Sequence, residues 1–456
     1  FPRGKRYGFF PSFSAAYRIS EEAFFEPLRK TVDNLKIRLS YGSLGNQQIG
    51  YYDFIQTITT KGSMGDYSFD GTILGQHATV SDPVSGNQTW EKVISKNLGA
   101  DLNMFSNRLS LTADFYIRDT KGILGKGKSL PSIYGANEPQ VNSNNLRTKG
   151  YELVLGWRDS FKLAGSTFSY GITGTFSDYT AEYTKCDNPS GLIGDPYVGK
   201  KYGEIWGYKV DGLFRNDEEA AEYASRVDLS KVAAGYYSAT GAYGKGVRGG
   251  DIKYLDLDGS GIVDGGKGTL EDPGDRRVIG NSSPRYQYGL TLNLSWYGFD
   301  LSVFMQGIGR LDWYPGADNL RFWGPYSRPY ATFIPKNFMS QVWSESNPDA
   351  YLPRARAYTS LNSTQGTAYY TNDRYLQNLA YCRLKNLTLG YTIPKRLTSK
   401  VGIKECRVYF SGENLATWSA LKNDFLDPEQ AAADSDKKSN VYPWCRTYSV
   451  GLNLTF

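Results

Sequence analysis

One histidine, His77, stands in 456 residues. This scarcity weakens every imidazole-dependent mechanism, including catalytic triads and His-ligated zinc. His77 itself reads as a loop residue without a role. Cysteine is nearly as rare. Cys186, Cys382, Cys406 and Cys445 lie far apart with no CxxC pair, which argues against metal binding and redox chemistry. A disulfide stays open for an oxidising compartment, although the spacing does not ask for one. No stretch approaches the roughly 18 apolar residues of a membrane-crossing helix. The balance of 52 Lys and Arg against 46 Asp and Glu leaves +6. That charge is too dilute for nucleic acid, and no long basic run appears. Gly244-Lys-Gly246 lacks the following Ser or Thr of a phosphate loop. A leader segment is also missing: the chain opens in mid-pattern at Phe1-Pro2-Arg3, in the manner of a fragment or a mature segment.

What is present favours strands. Hydrophobic residues make up 40% and charged residues 21%, so the composition is not that of a disordered chain. Tyrosine (36) and glycine (50) are abundant, a mixture suited to strands, tight turns and interfacial aromatic girdles. The mean hydropathy of −0.48 looks like that of a soluble protein. A membrane barrel reads the same way, because only alternate residues face lipid. Period-two alternation recurs along the chain. Leu109, Leu111, Ala113, Phe115 and Ile117 share one face against Ser110, Thr112, Asp114 and Tyr116. Tyr286 to Trp296 and Tyr448 to Phe456 repeat the pattern. Eleven strands are expected, beginning near Ser12, Leu35, Val93, Arg108, Lys149, Ser166, Tyr286, Phe299, Tyr381, Glu405 and Thr447.

The connections alternate in length. Asn103 to Asn107, Asp159 to Gly165, Tyr297-Gly298 and Pro394 to Lys404 are short. Ser43 to Lys92, Asp119 to Thr148, Asp178 to Arg285, Leu311 to Ala380 and Asn414 to Arg446 are long. A soluble sandwich has no reason to keep every second loop short, whereas an outer-membrane barrel has short periplasmic turns and long extracellular loops. Lipid offers no hydrogen bonds to a sheet edge, so such a sheet must close on itself. The expected fold is therefore all-β, a transmembrane antiparallel β-barrel. An odd strand count puts Phe456 in the periplasm and Phe1 outside, so a preceding portion would join through an extracellular loop. Leu109, Leu111, Leu290, Leu292, Val450 and Leu452 should face lipid. Thr112, Thr291, Asn293, Gly451 and Asn453 should face the lumen. The terminal Phe456 is expected to act as a barrel-insertion signal.

A series of short motifs then appears in order: Leu35-Lys-Ile-Arg-Leu-Ser-Tyr-Gly42, Trp90-Glu91, Asp114-Phe-Tyr116 and Lys149-Gly-Tyr-Glu152. Further on stand Gly207-Tyr-Lys-Val-Asp-Gly-Leu-Phe214, Gly250-Asp-Ile-Lys-Tyr-Leu-Asp256 and Arg383-Leu-Lys-Asn-Leu-Thr-Leu-Gly-Tyr391. Asp427-Pro-Glu429 and Arg446 to Phe456 close the series. Each is weak alone, but together they resemble the SusC/RagA-like TonB-dependent transporters of Bacteroidota outer membranes over nearly the whole chain. The resemblance implies that residues 1–456 are the C-terminal half of a barrel of about 22 strands. It also implies a plug domain and first strands outside this chain, energy from the TonB complex, and a SusD-like surface lipoprotein as partner. The implied function is import of oligomeric nutrients, glycans or peptides, without catalysis. A soluble all-β glycan-binding or glycoside-hydrolase module is the alternative, and detergent-dependent extraction separates the two.

The segment with the most chemical content is Asp256-Leu-Asp258-Gly-Ser260-Gly-Ile262-Val-Asp264. Asp256, Asp258, Ser260, the Ile262 carbonyl and Asp264 fall at positions 1, 3, 5, 7 and 9 of a calcium-type loop, with Gly261 at the turn. Position 12 is Lys267 rather than Glu, so a further carboxylate, Asp275 ahead of Glu271 and Asp272, is expected to complete a structural Ca²⁺ site in an extracellular loop. The bland alternative is an acidic, glycine-rich turn. Trp206, Trp313, Trp323 and Trp343 are loop aromatics that can stack on sugars or a partner, although packing among themselves is favoured. Asp217-Glu218-Glu219 reads as a helix start capped by Asn216.

Overall fold

The computed structural model describes residues 1–456 apart from 48–49, 51, 62–67, 70–71, 74–76, 129, 238–245, 329, 331, 333, 357–360, 362–365, 424, 433–441 and 443. Its main feature is one 11-stranded antiparallel sheet in which each strand pairs with the next in the chain. The strands of this sheet, numbered by themselves, are β1 (Ser12–Arg18), β2 (Val32–Asn46), β3 (Glu91–Met104), β4 (Leu109–Lys126), β5 (Gln140–Leu163) and β6 (Ser166–Lys185). After a long loop come β7 (Arg285–Trp296), β8 (Phe299–Arg310), β9 (Tyr381–Thr392), β10 (Glu405–Ser419) and β11 (Thr447–Thr455).

All eleven expected strands are present. The largest displacement is at β5, which begins at Gln140 rather than near Lys149, so the loop expected over Asp119 to Thr148 shrinks to 127–139. Asn142 to Asn145 carry no apolar alternation, which hides this extension from the sequence. It is held instead by side-chain bonds, Asn142 donating to the carbonyls of Thr89 and Gly122 at 2.9 and 2.7 Å. Two of the short turns are two-residue hairpins, Ala164-Gly165 and Tyr297-Gly298, with φ of 47° and 84° and of 49° and 83°. That left-handed geometry matches the twist of the flanking strands.

The register aligns the side chains in rows. Leu35, Leu102, Leu111, Leu155, Gly174 and Leu290 are successive partners across β2 to β7. Leu39, Leu98, Phe115 and Tyr151 form a parallel row nearer the long loops. This apolar face is uncovered: Leu98 is 48% and Leu155 52% exposed. An open apolar wall of this extent needs lipid or a partner against it. Aromatic belts edge it at both ends. Phe161, Phe168 and Tyr170 cluster near the short turns, as do Phe299 and Tyr391. Phe115, Tyr151, Phe176 and Tyr286 form a chain toward the long loops.

The opposite face is polar. Arg38 donates to both Asp101 and Asp114 at 2.8 to 3.1 Å, Lys36 joins Asp101, and Asn97 joins Asp114. Arg407 pairs with Asp300 at 2.5 Å, and the Thr388 and Ser411 hydroxyls meet at 3.2 Å. The expected sidedness follows the register. Leu109, Leu111, Leu290 and Leu292 lie on the apolar face and Thr112, Thr291 and Asn293 on the polar one. In β11, Val450 and Leu452 oppose Phe410 and Val408, while Gly451 and Asn453 oppose Tyr409 and Arg407.

The buried hydrophobic core lies outside this wall, in the long loops. Phe214, Tyr254 and Val263 of loop 186–284 pack with Trp313, Trp323 and Tyr375 of loop 311–380 and with Leu426 and Ala431 of loop 420–446. Among the described residues, no helix is long and apolar enough to cross a membrane.

Candidate functional site

The acidic segment sits against this loop core. A short helix, α1 (Asp217–Ala224), starts at Asn216, whose side chain accepts from Glu219 N at 2.8 Å, as the sequence predicts. Glu219 reaches back to Arg215 N at 2.7 Å, a near-reciprocal cap that fixes the helix entry. The chain beyond α1 then clasps the acidic segment. Asp228 N donates to Gly261 O at 2.7 Å, and Val263 N donates to Asp228 O at 2.9 Å.

Within the segment, Asp256, Asp258 and Asp275 each place a carboxylate oxygen within 4.8 Å of the others. Asp275 is fully buried. Its two oxygens accept from Leu257 N at 2.5 Å and Asp264 N at 2.9 Å, so it bridges the two limbs of the loop. Burial pushes the Asp275 carboxyl up, whereas the Ser260 amide holds Asp258 below the usual carboxylate range. Asp256 accepts from Gly259 N and Gly261 N, at 2.8 and 2.9 Å. Gly259 and Gly261 take φ of +75° and +80°, which a side chain there would strain. Among the described residues, no lysine or arginine is ion-paired with Asp256, Asp258 or Asp275.

Of the other three expected ligands, Asp264 lies outside this carboxylate group, while Ser260 N donates to Asp258 at 2.9 Å. The Asp264 carboxylate accepts from Gly266 N at 2.7 Å, and the Ser260 hydroxyl donates to the Ile262 carbonyl at 2.9 Å. These groups satisfy their hydrogen bonding locally, as short polar side chains in glycine-rich turns do. Three of the expected ligands, Asp256, Asp258 and Asp275, are thus brought together as a carboxylate cluster.

The loop tryptophans pack inward. Trp313, Trp323 and Trp343 are 4%, 0% and 5% exposed, so packing among themselves is their role and not an open stacking platform. His77 lies in a short strand, His77–Val80, paired with Ile58–Lys61. Cys186, Cys382 and Cys406 are free thiols. Gly244 and Lys245 fall outside the described residues.

A clamp escapes the sequence reading. Arg383 of β9 is 2% exposed and donates to Glu429 and Asp427 at 2.7 Å each, with Nε on Thr417 Oγ1 at 2.9 Å. Lys385 joins Glu429 at 2.6 Å. Both partners stand in motifs visible in the sequence, but nothing there says that they meet.

The alternating turns, the apolar belted wall and the polar inner face define the class: an outer-membrane β-barrel protein. No protein-family model matches the chain. Curated relatives do. TonB-dependent receptor P26 of Formosa agariphila is 28% identical over 477 residues, covering the whole chain and 43% of that protein. TonB-dependent receptor P3 of the same organism is 26% identical over 479 residues, again covering the whole chain and 42% of the relative. TonB-dependent receptor SusC of Bacteroides thetaiotaomicron is 22% identical over 476 residues, with 100% and 41% coverage. A solved structure of the RagAB peptide transporter superposes with a TM-score of 0.68 at 21% identity, over 98% of this chain and 43% of that one. Over its whole length the chain is similar to the SusC/RagA-like TonB-dependent receptors. It spans less than half the length of the curated relatives it matches.

Proposed function

We propose that this chain forms the C-terminal part of the barrel wall and much of the extracellular layer of an active importer of oligomeric nutrients, glycans or peptides. The observation that supports this most directly is the packing of the long loops. Loops 186–284, 311–380 and 420–446 share one buried core at one end of a polar-lined wall. Loops that long are uncommon without a function, and a shared core gives a rigid platform for substrate and for a SusD-like surface lipoprotein. Energy would come from the TonB complex through a plug domain and first strands outside these residues. The chain would bind and pass its cargo without turning it over.

The acidic cluster would order this layer by holding Ca²⁺ between Asp256, Asp258 and Asp275. Ser260, the Ile262 carbonyl and Asp264 would join only by exchanging their present hydrogen bonds. Oxygen-rich sites in extracellular loops function at weak affinity, because calcium there reaches millimolar levels. Terbium luminescence excited through neighbouring aromatics should appear in the purified protein and vanish in Asp275→Asn. Identical signals in both would dismiss the site.

The import reading is tested by deleting the gene in its host and growing cells on defined oligomers. Loss of growth on one oligomer, with growth on its monomer intact, supports import. Affinity purification in mild detergent should recover a surface lipoprotein. Normal growth on every glycan and peptide tried, with no lipoprotein recovered, would overturn it.

A further inference from the structure

The outward face of β3 to β5 changes character abruptly above the upper aromatic belt. Leu98, Phe115 and Tyr151 face one another in one row. One step further toward the long loops, at two residues along each strand, the row is Lys96, Ile117 and Lys149. Two steps beyond that, Lys92 stands directly opposite Lys121. Because side chains alternate, all of these share the lipid-facing side with Leu98 and Phe115. The four lysines are exposed, and none forms an ion pair or side-chain hydrogen bond among the described residues. The row between them is Ile94, Asp119, Arg147 and Glu182; Arg147 is held by Asp119 at 2.7 Å, so one basic and two acidic side chains share the patch with the four lysines.

Two features make this more than a solvated rim. Like charges directly opposite on a sheet repel, and the neighbouring carboxylate, Asp119, is committed to Arg147, so a further anion would relieve the Lys92–Lys121 pair. In addition, the basic row opens downward into a groove of about 670 Å³ on the outer wall, lined by Leu39, Leu98, Phe115 and Tyr151 with Lys96 and Lys149 at its upper edge and the mutually neutralised Asp178–Arg285 pair at one side. Successive rows on one face lie about 7 Å apart along the strand. The lysines therefore stand at the level where the acyl region of the outer leaflet gives way to headgroups.

We infer that the outer wall of β3 to β5 binds a phosphate-bearing lipid of the outer leaflet, with its phosphate between Lys96, Lys149, Lys92 and Lys121 and an acyl chain in the groove below. This rests on the outer-membrane placement but not on the import reading. The charge is complementary, the apolar groove is continuous with the lipid-facing wall, and the two requirements meet at one height. Polybasic surfaces gain about fivefold in affinity per lysine brought to an anionic membrane. The lipid should stay with the protein through purification and order this sector of the wall.

The test uses the full-length receptor purified in detergent and native mass spectrometry with bisphosphorylated lipid A as probe. Dephosphorylated lipid A and inorganic phosphate serve as comparisons. Wild-type protein should retain the bisphosphorylated lipid at least tenfold better than the dephosphorylated one. Inorganic phosphate at millimolar concentration should not displace it. Lys96→Gln/Lys149→Gln should reduce the preference to about twofold while the heat-modifiable folded band persists. Asp119→Asn, which frees Arg147, should strengthen retention. Equal retention of the two lipids by the wild type overturns the proposal, without needing any variant to fold. Displacement by inorganic phosphate also overturns it, assigning the lysines to a free anion. So does an unchanged preference in the double variant.

Discussion

Replacing Arg383 by alanine should release the loop that it clamps while leaving the wall intact. The guanidinium makes two charge-assisted bonds at 2.7 Å, one to Asp427 and one to Glu429. Bonds of this kind contribute about 1.5–3 kcal/mol each. The two carboxylates do not suffer equally. Glu429 keeps Lys385 at 2.6 Å, whereas Asp427 keeps, among the described residues, only the Glu429 amide at 2.9 Å. Asp427 is 10% exposed, so its charge is left nearly uncompensated. Removing one partner of a buried pair costs about 3–5 kcal/mol, and Lys385 places the expected loss near the lower end, about 3 kcal/mol. An opening free energy lowered by about 3 kcal/mol accelerates exchange through that opening roughly 150-fold. Hydrogen exchange followed by mass spectrometry should show this acceleration over residues 421–432, with β9 to β11 unchanged. Arg383→Lys, which keeps the charge but loses the fork, should lie between alanine and wild type. An acceleration under about fivefold, or one spread evenly over β9 to β11, would refute the idea that the clamp holds the loop locally.

Other perturbations separate the two faces and the loop layer. Leu292→Arg should cost about 2–4 kcal/mol of barrel stability, and Asn293→Arg should cost little; equal losses in unfolding from detergent or lipid would reverse the assigned faces. Gly250→Ala should loosen the loop core, because φ is +87° and a Cβ would meet Trp343 Cδ2 at 2.4 Å; faster exchange near Phe214 and Ile252 is the expected readout. Burial pushes the Asp251 carboxyl up to about 6 despite Arg356 at 2.6 Å. A raised folded-state pKa favours the protonated form, so the contribution is complete below the ordinary pKa of 3.8 and is lost as pH rises through 6. Wild-type melting temperatures compared with Asp251→Asn from pH 4 to 7.5 should show that decline, and a flat difference would contradict it.

The wall was legible because its physics is local. Alternation, turn residues and loop-length asymmetry are one-dimensional signals, and they place ten of the eleven strand starts close to the observed ones. The β5 extension was not legible, since Asn142 works through carbonyls at Thr89 and Gly122, which only the fold brings near. The acidic segment was half legible. Spacing brings Asp256 and Asp258 together, and Asp275 joins them across an eleven-residue separation from Asp264. Ser260, Ile262 and Asp264 bond to partners within two residues, contacts that the turn itself makes and that spacing alone does not reveal. Arg383 and its partners are 44 and 46 residues apart, and no periodicity links them.

The shared core of the long loops also bears on how such a protein can change over generations. Tyr254 and Val263 from one loop, Trp323 and Tyr375 from a second, and Leu426 from a third bury one another. A length change or a transplant in one loop uncovers apolar surface on the other two. New cargo preferences should therefore arise either by point changes on the exposed skin of the layer or by exchange of all three loops as a single inherited block. Gene segments recombined between relatives would be expected to break in the barrel strands before Asp178 or after Glu429, and to avoid the stretch between them.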